Sequence, residues 1–307
     1  MVSETILPVF SSYGIEDVRL NESMAKHTTW RIGGPADVLV IPKSEQELQG
    51  TVRVAHDYGL PVTVIGRGSN ALVLDGGIRG VVIKLHDEFA DIQVEGNSVV
   101  AMSGRSYVSA ANIAVRSGLS GLEFATGIPG TVGGAVMMNA GAYGRETCEV
   151  LEWADVMDLN GDTRRFTNEE FRFGYRYSTL KDHPGIVVRA KFSLTSGDRD
   201  SLIAQVRQWS TRRVETQPLS LPNCGSVFRN PEGTHAGHLI EAAGLKGFRK
   251  GGAQISEKHA NFIVNHGDAK AEDVLWLIRH AQNTIRERYG VEMETEVRVL
   301  GEQTSGR

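Results

Sequence analysis

Only two cysteines occur in 307 residues, Cys148 and Cys224, and neither has the paired spacing of a zinc site or the density of a disulfide scaffold. Both read as buried thiols in a reducing compartment, and no metal is expected. No apolar run reaches the roughly 18 residues that spanning a bilayer requires. Residues 1–10 also lack the basic-then-apolar order of an export signal. A cytoplasmic chain without a membrane partner is therefore expected. Positive charge is not in excess either: 33 Lys and Arg stand against 37 Asp and Glu, a net charge of -4, so nucleic acid is not expected as a partner. Repeats and low-complexity tracts are absent. With 40% hydrophobic and 23% charged residues the chain can bury one substantial core and has room for two, and a monomer is expected.

Glycine is what the sequence has in plenty. Its 35 copies gather near 66–80, 118–144 and 225–252, where bare backbone suits either tight turns or loops that wrap a large ligand. The patterning predicts a strand over 37–41, a helix over 44–58 opened by Ser44 with Glu47 three residues on, and a strand over 61–65. Short strands follow at 71–74, 81–85, 92–95 and 98–102, then a helix at 106–117. A long glycine-rich loop leads to strands at 150–159 and 163–167 flanking Asn160-Gly161, the strongest hairpin signal present. After a strand at 186–195 and a helix at 199–214, Pro218 and Pro222 mark a domain boundary near 216. The remainder reads as an α+β unit: helix 236–243, strand 261–265, helix 270–289 with Val274, Ile278, Ala281 and Ile285 inward, and strand 291–300.

Two loops carry candidate chemistry. Gly66-Arg67-Gly68-Ser69-Asn70 follows a strand, and consecutive N–H groups in such a turn can cup phosphate oxygens. A dinucleotide fingerprint or P-loop would continue into a helix, whereas a strand follows here, and an ordinary glycine turn fits equally well. The stretch Gly127-Ile128-Pro129-Gly130-Thr131-Val132-Gly133-Gly134-Ala135, running on to Asn139-Ala140-Gly141-Ala142-Tyr143-Gly144, is long enough to suggest a functional loop.

With Thr28-Thr29-Trp30-Arg31-Ile32-Gly33-Gly34-Pro35-Ala36-Asp37, these loops resemble the FAD-binding part of the UDP-N-acetylenolpyruvoylglucosamine reductases. The resemblance continues through Tyr175-Arg176-Tyr177-Ser178, residues 223–231, residues 256–262 and Glu294-Thr295-Glu296-Val297-Arg298, so it runs from about Asn21 to Gly301. It implies an α+β chain: a two-subdomain FAD-binding fold of the vanillyl-alcohol-oxidase (PCMH) type over 1–216, split near 70–80, and a C-terminal α+β substrate-binding domain over 217–307. The short interval between Arg176 and Gly225 is similar to the compact type II branch, and Trp30 stands where the pattern leads one to expect Phe.

The family likeness further implies FAD as cofactor and NADPH as co-substrate for reducing UDP-N-acetylglucosamine enolpyruvate, a precursor of the bacterial cell wall. It points to Arg31, Gly66, Arg67, Gly68, Ser69, Asn70, Gly127, Ile128, Pro129, Gly130, Thr131, Gly133, Gly134, Asn139, Gly141 and Ala142 for FAD. Tyr143, Arg229, Asn230 and Lys258 are implied for the substrate, and Arg176, Ser226 and Glu296 for catalysis. Hydride passes from flavin N5 to the enolpyruvyl methylene, leaving negative charge spread onto the adjacent carboxylate. An arginine stabilises that charge, a glutamate held protonated in a dry site donates a hydrogen bond, and a serine placed against the carbanion protonates it. In isolation each residue has a plainer use. Ser226 can bond its own turn, Glu296 falls on the solvated face of an alternating strand, and Arg176 between two tyrosines can be a stacked surface cation.

Two other functions fit the same sequence. One is an FAD oxidase of the same fold, although His27 and Cys148 lack a flavin-attachment motif. The other is a nucleotide-sugar binding protein without turnover, against which the joint presence of Arg176, Ser226 and Glu296 argues.

Overall fold

Local signals set most element ends. In the computed structural model, which describes residues 4–304, the Ser44 hydroxyl accepts the Glu47 N–H at 3.2 Å and opens the helix Glu45–Asp57. Leu48, Val52 and Ala55 form its buried stripe. At Asn160-Gly161 the strands Leu151–Met157 and Thr163–Thr167 pair antiparallel, with Gly161 at φ 92° and the Asp158 carboxylate accepting the N–H groups of Asn160 and Asp162, each at 2.9 Å.

The chain folds as two compact units, each discontinuous in sequence. The first takes the chain up to Leu20, Val38–Arg67 and Gly80–Thr211; the second takes Asn21–Asp37, Gly68–Arg79 and the chain from Arg212 onward. The sequence suggested a domain boundary near 216 and a subdomain split near 70–80, both continuous in sequence, whereas Asn21–Asp37 and Gly68–Arg79 cluster with the C-terminal segment. The cause is burial: Trp30, Ile32, Leu72 and Leu74 share a core with Val274, Leu277 and Ile278.

Two cores organise the first unit. One joins Phe10, Val40, Leu48, Val52 and Ile83 on a sheet ordered Val18–Ser23, Pro35–Val40, Ile78–Lys84, Val62–Ile65, the last two parallel. The other joins Tyr107, Phe124, Val136, Phe171 and Phe192 on a five-stranded antiparallel sheet that includes the hairpin above, Ile186–Ser193, Ser98–Met102 and Ile92–Glu95. The stretch expected as one long loop is largely ordered: a 3-10 turn Glu123–Gly127, a short helix Val132–Met138 and a hairpin pairing Gly141–Ala142 with Arg145–Glu146. Gly133 and Gly134 hid that helix, since glycine disfavours helix by about 1 kcal/mol. Gly133 is there for packing, because a Cβ would lie 2.8 Å from that of Ser103.

In the second unit the long helix Ala271–Tyr289 ends at Gly290 in left-handed backbone. It packs on an antiparallel sheet of Arg249–Lys250, Ala253–Ile255 and Ile263–Asn265. The strand expected over 291–300 shrinks to Arg298–Leu300, paired in parallel with Ala71–Val73. Just before it, the N–H groups of Glu296 and Val297 both point at the Val227 carbonyl, at 2.8 and 3.3 Å, the pattern of a β-bulge. Met293 and Val297 are buried as a two-residue alternation would place them, whereas Val299 on the same face is 44% exposed. No helix among the described residues is long and apolar enough to cross a membrane.

Candidate active site

The first unit brings its two glycine loops together. A Cβ on Gly66 would clash with the Thr131 hydroxyl and methyl, so only glycine allows this approach. Thr131 in turn accepts the Gly134 N–H at 3.4 Å as the cap of Val132–Met138. Backbone N–H groups at Gly66, Arg67 and Thr131 make no hydrogen bond among the described residues, whereas Gly127 ends the 3-10 turn Glu123–Gly127. Ile128 and Gly130 use theirs within the loop, and Gly133 bonds the Ser103 carbonyl at 2.9 Å. Pro129 has none to give.

Around Arg67 lie two basic side chains that the sequence did not single out, Lys84 and His86. Burial pushes the Lys84 ammonium below its ordinary pKa, and the charges of Arg19 and Arg67 add to this against the opposing Asp87. Burial also lowers His86, with Asp87 opposing and Lys84 and Arg67 assisting. Lys84 pairs with Ile65 in the parallel ladder, which puts it beside the start of the 66–70 loop. The available signal was a lysine ending an apolar strand.

Asn139, Gly141, Ala142, Tyr143 and Arg176 form one cluster in the same unit. Asn139 is buried and fully engaged: its amide donates to Glu146 at 2.8 Å and to the Gly174 carbonyl at 3.0 Å, and its oxygen accepts the Cys148 N–H at 2.9 Å. It therefore braces the loop. Arg176 donates to the Gly141 carbonyl at 3.3 Å, pairs with Glu146 at 3.7 Å and lies over the Tyr175 ring. Tyr143, at the hairpin tip, stacks on Trp209 with centroids 4.2 Å apart. Six non-glycine residues take positive φ among the described residues, and four of them are Arg31 (57°), Asn139 (43°), Tyr143 (54°) and Arg176 (55°). Such backbone costs roughly 1 kcal/mol or more apiece and persists where surroundings enforce it, which is typical of functional sites.

In the second unit Gly68, at φ 63°, packs against the Thr28 turn; a Cβ there would lie 2.6 Å from the His27 carbonyl. Arg31 closes the same turn, its N–H donating to the Thr28 carbonyl at 3.1 Å. The N–H groups of Gly68, Ser69 and Asn70 have no partner among the described residues. The Asn70 side chain donates to the Glu296 carbonyl at 3.2 Å, and its own carbonyl accepts the Arg298 N–H at 3.0 Å.

Ser226 and Glu296 come together on adjoining segments. Val227 accepts the Glu296 N–H, Phe228 bridges Thr295, and Arg229 accompanies Glu294 through both backbone and side chain. Ser226 is half-buried, and no described residue bonds its hydroxyl. Neighbouring Cys224 is sealed in the core, where burial and then the charge of Glu296 push its thiol well above the ordinary value. Asn230 spends its side-chain oxygen on the Ala236 N–H at 3.1 Å, and Lys258 reaches the Val214 carbonyl at 2.5 Å. Neither is brought to Ser226 by those bonds.

The family model described as UDP-N-acetylenolpyruvoylglucosamine reductase, C-terminal domain, matches residues 217–300, and the one described as FAD binding domain matches residues 36–167. The UDP-N-acetylenolpyruvoylglucosamine reductase of Halalkalibacterium halodurans is 50% identical, over 98% of this chain and 100% of that protein. This chain belongs to that family. A crystal structure of the family member from Thermus caldophilus superposes with a TM-score of 0.79 at 37% identity, over 93% of this chain and 98% of that one. A Phl p 4 variant described as a glucose oxidase shares the fold alone, with a TM-score of 0.50 at 14% identity over 73% and 52% of the two chains. For this family member the α+β fold thus comprises an FAD-binding domain and the family's C-terminal domain.

The residues fit the cofactor. In the first unit, unspent N–H donors at Gly66, Arg67 and Thr131 and the positive charge of Arg67 and Lys84 suit an anionic diphosphate, and glycine at 66 lets that turn pack directly on Thr131. What motif reading missed in this reductase is the bracing, above all Asn261, because its partners Val227 and Phe228 lie more than thirty positions away.

Proposed function

We propose that this chain reduces UDP-N-acetylglucosamine enolpyruvate to UDP-N-acetylmuramate with NADPH, acting as a cytoplasmic monomer, with residues 1–216 serving FAD and 217–307 the sugar nucleotide. When bound, FAD supplies the hydride, taken from NADPH and given to the enolpyruvyl methylene carbon. The chain's own groups manage the charge and the proton. Arg176, already aimed by Glu146 and the Gly141 carbonyl, holds the substrate carboxylate as negative charge moves onto it. Glu296 is a second hydrogen-bond partner for that carboxylate. Ser226 gives its proton to the carbon that bears the ether oxygen, and its hydroxyl is not tied up by another side chain.

For the cofactor, Arg31, Gly66, Arg67, Gly68, Ser69, Gly127, Ile128, Pro129, Gly130, Thr131, Gly133, Gly134, Gly141 and Ala142 line the flavin loops, while Asn70 and Asn139 hold those loops in shape. Tyr143, Arg229, Asn230 and Lys258 serve the substrate. What supports the reading most is the adjoining of Ser226 and Glu296 beside the dry, fully buried Cys224. The test is direct: record the visible spectrum of the purified protein and follow NADPH oxidation with and without the enolpyruvyl substrate. A flavin-loaded protein whose NADPH oxidation the substrate does not stimulate refutes the proposal.

A further inference from the structure

Asn261 is 4% exposed, carries no charge, and spends every polar side-chain atom on one distant residue. Its oxygen accepts the Phe228 N–H at 2.9 Å and its amide donates to the Phe228 carbonyl at 2.8 Å. That orientation is fixed, since a backbone N–H only donates and a carbonyl only accepts. The Asn261 main-chain carbonyl takes the Val227 N–H as well, at 2.9 Å. Three bonds therefore grip the dipeptide that follows Ser226.

On its other side the same dipeptide receives the Glu296 N–H through the Val227 carbonyl, at 2.8 Å. Before Ser226 the hydrogen bonds are local: the Gly225 N–H donates to Asn223 Oδ1 at 3.0 Å and the Asn223 amide donates to the Pro218 and Leu221 carbonyls, so none of them ties Ser226 to the Glu296 segment. The register of Ser226 against Glu296 is consequently set from the 227–228 side. Asn261 is itself anchored, its N–H donating to His259 Nδ1 at 3.2 Å. Leucine would match its size but leave the Phe228 N–H and carbonyl unpaired, and aspartate would set a second oxygen against that carbonyl.

We infer that Asn261 is a positioning residue for proton delivery, an amide bracket that sets the Ser226 hydroxyl in register with Glu296. The inference rests on the Ser226 role proposed above. Displacing a reacting group by about 1 Å can cost on the order of 100-fold in rate. In FAD-loaded Asn261→Ala and Asn261→Asp, flavin reduction by NADPH stays within about twofold of the parent. Reoxidation by UDP-N-acetylglucosamine enolpyruvate falls about 100-fold, with a larger solvent deuterium isotope effect because proton delivery has become the slow event. Amide hydrogen exchange at Phe228 and Glu296 quickens in the same variants, a readout that needs no turnover.

Ser226→Ala is measured alongside. If it is slow while both Asn261 variants reoxidise at the parental rate with an unchanged isotope effect, the bracket is wrong and the Ser226 role survives. If Ser226→Ala itself reoxidises normally, the Ser226 role fails and the inference goes with it. Should neither Asn261 variant fold, exchange in the unaltered protein decides: Val227, Phe228 and Glu296 amides that exchange as fast as an open loop refute the bracket, and protected ones support it.

Discussion

Trp30→Phe removes one hydrogen bond and part of one ring from the second unit, and both losses can be sized. Trp30 is fully buried, and its indole N–H donates to the Ile263 carbonyl at 2.7 Å. Ile263 lies on the outer strand of the three-stranded sheet, opposite Ile255. Ser256 bonds the Phe262 carbonyl, so by antiparallel alternation the Ile263 carbonyl faces away from its neighbour strand and depends on Trp30. Losing a buried bond and stranding its acceptor costs about 1–3 kcal/mol, and the void left by the smaller ring about 1 more. The expected fall in unfolding free energy is about 2–4 kcal/mol. Urea unfolding followed by circular dichroism measures it, at fixed FAD because a ligand of the folded state raises apparent stability. Trp276→Phe is the control: that ring is half-buried, stacks on Phe248 and His280, and should lose less than about 1 kcal/mol. A Trp30→Phe protein within about 0.5 kcal/mol of the parent, or no worse than the Trp276 control, refutes the argument that this indole closes the sheet edge.

Three further outcomes are expected. Gly66→Ala should weaken FAD binding about tenfold or more, read by titrating apoprotein with FAD; Gly66→Ala/Thr131→Ala should recover part of it, because the clash is with the threonine hydroxyl and methyl. Arg176→Lys should slow substrate reoxidation about 100-fold while flavin reduction by NADPH holds, since one ammonium cannot serve Gly141, Glu146 and a planar carboxylate at once. Burial first, and then Lys246, lower the His259 pKa, so between the folded and unfolded values the unfolded chain binds more protons. Stability should accordingly be intact above about pH 6.5 and fall as the medium is acidified below that, and His259→Gln should flatten that slope in urea midpoints measured across pH.

Element ends were legible wherever a short-range rule governs them. Ser44 caps its helix, Asn160-Gly161 turns its hairpin, and Val274, Ile278, Ala281 and Ile285 face inward. The rule failed where a distant group intervened. The strand expected at 291–300 was read by alternation, yet only Arg298–Leu300 forms it, the Glu296 and Val297 N–H groups going instead to the Val227 carbonyl, and no window around residue 296 contains Val227. The glycine-rich stretch looked like open loop because Gly133 and Gly134 weaken a helix, which nevertheless forms against Ser103.

The sequence by itself determined the family, the glycine loops suited to a large cofactor and the identity of the candidate acid, hydrogen-bonding and charge-bearing side chains, because motifs are contiguous and glycine spacing is a local backbone property. Only the tertiary structure decided that Asn70 and Asn139 brace rather than face open space, that Lys84 and His86 gather near Arg67, and that Asn261 grips the residues beside Ser226. Buried polar atoms must each find a partner, and which partner is within reach is fixed by packing between segments far apart in the chain.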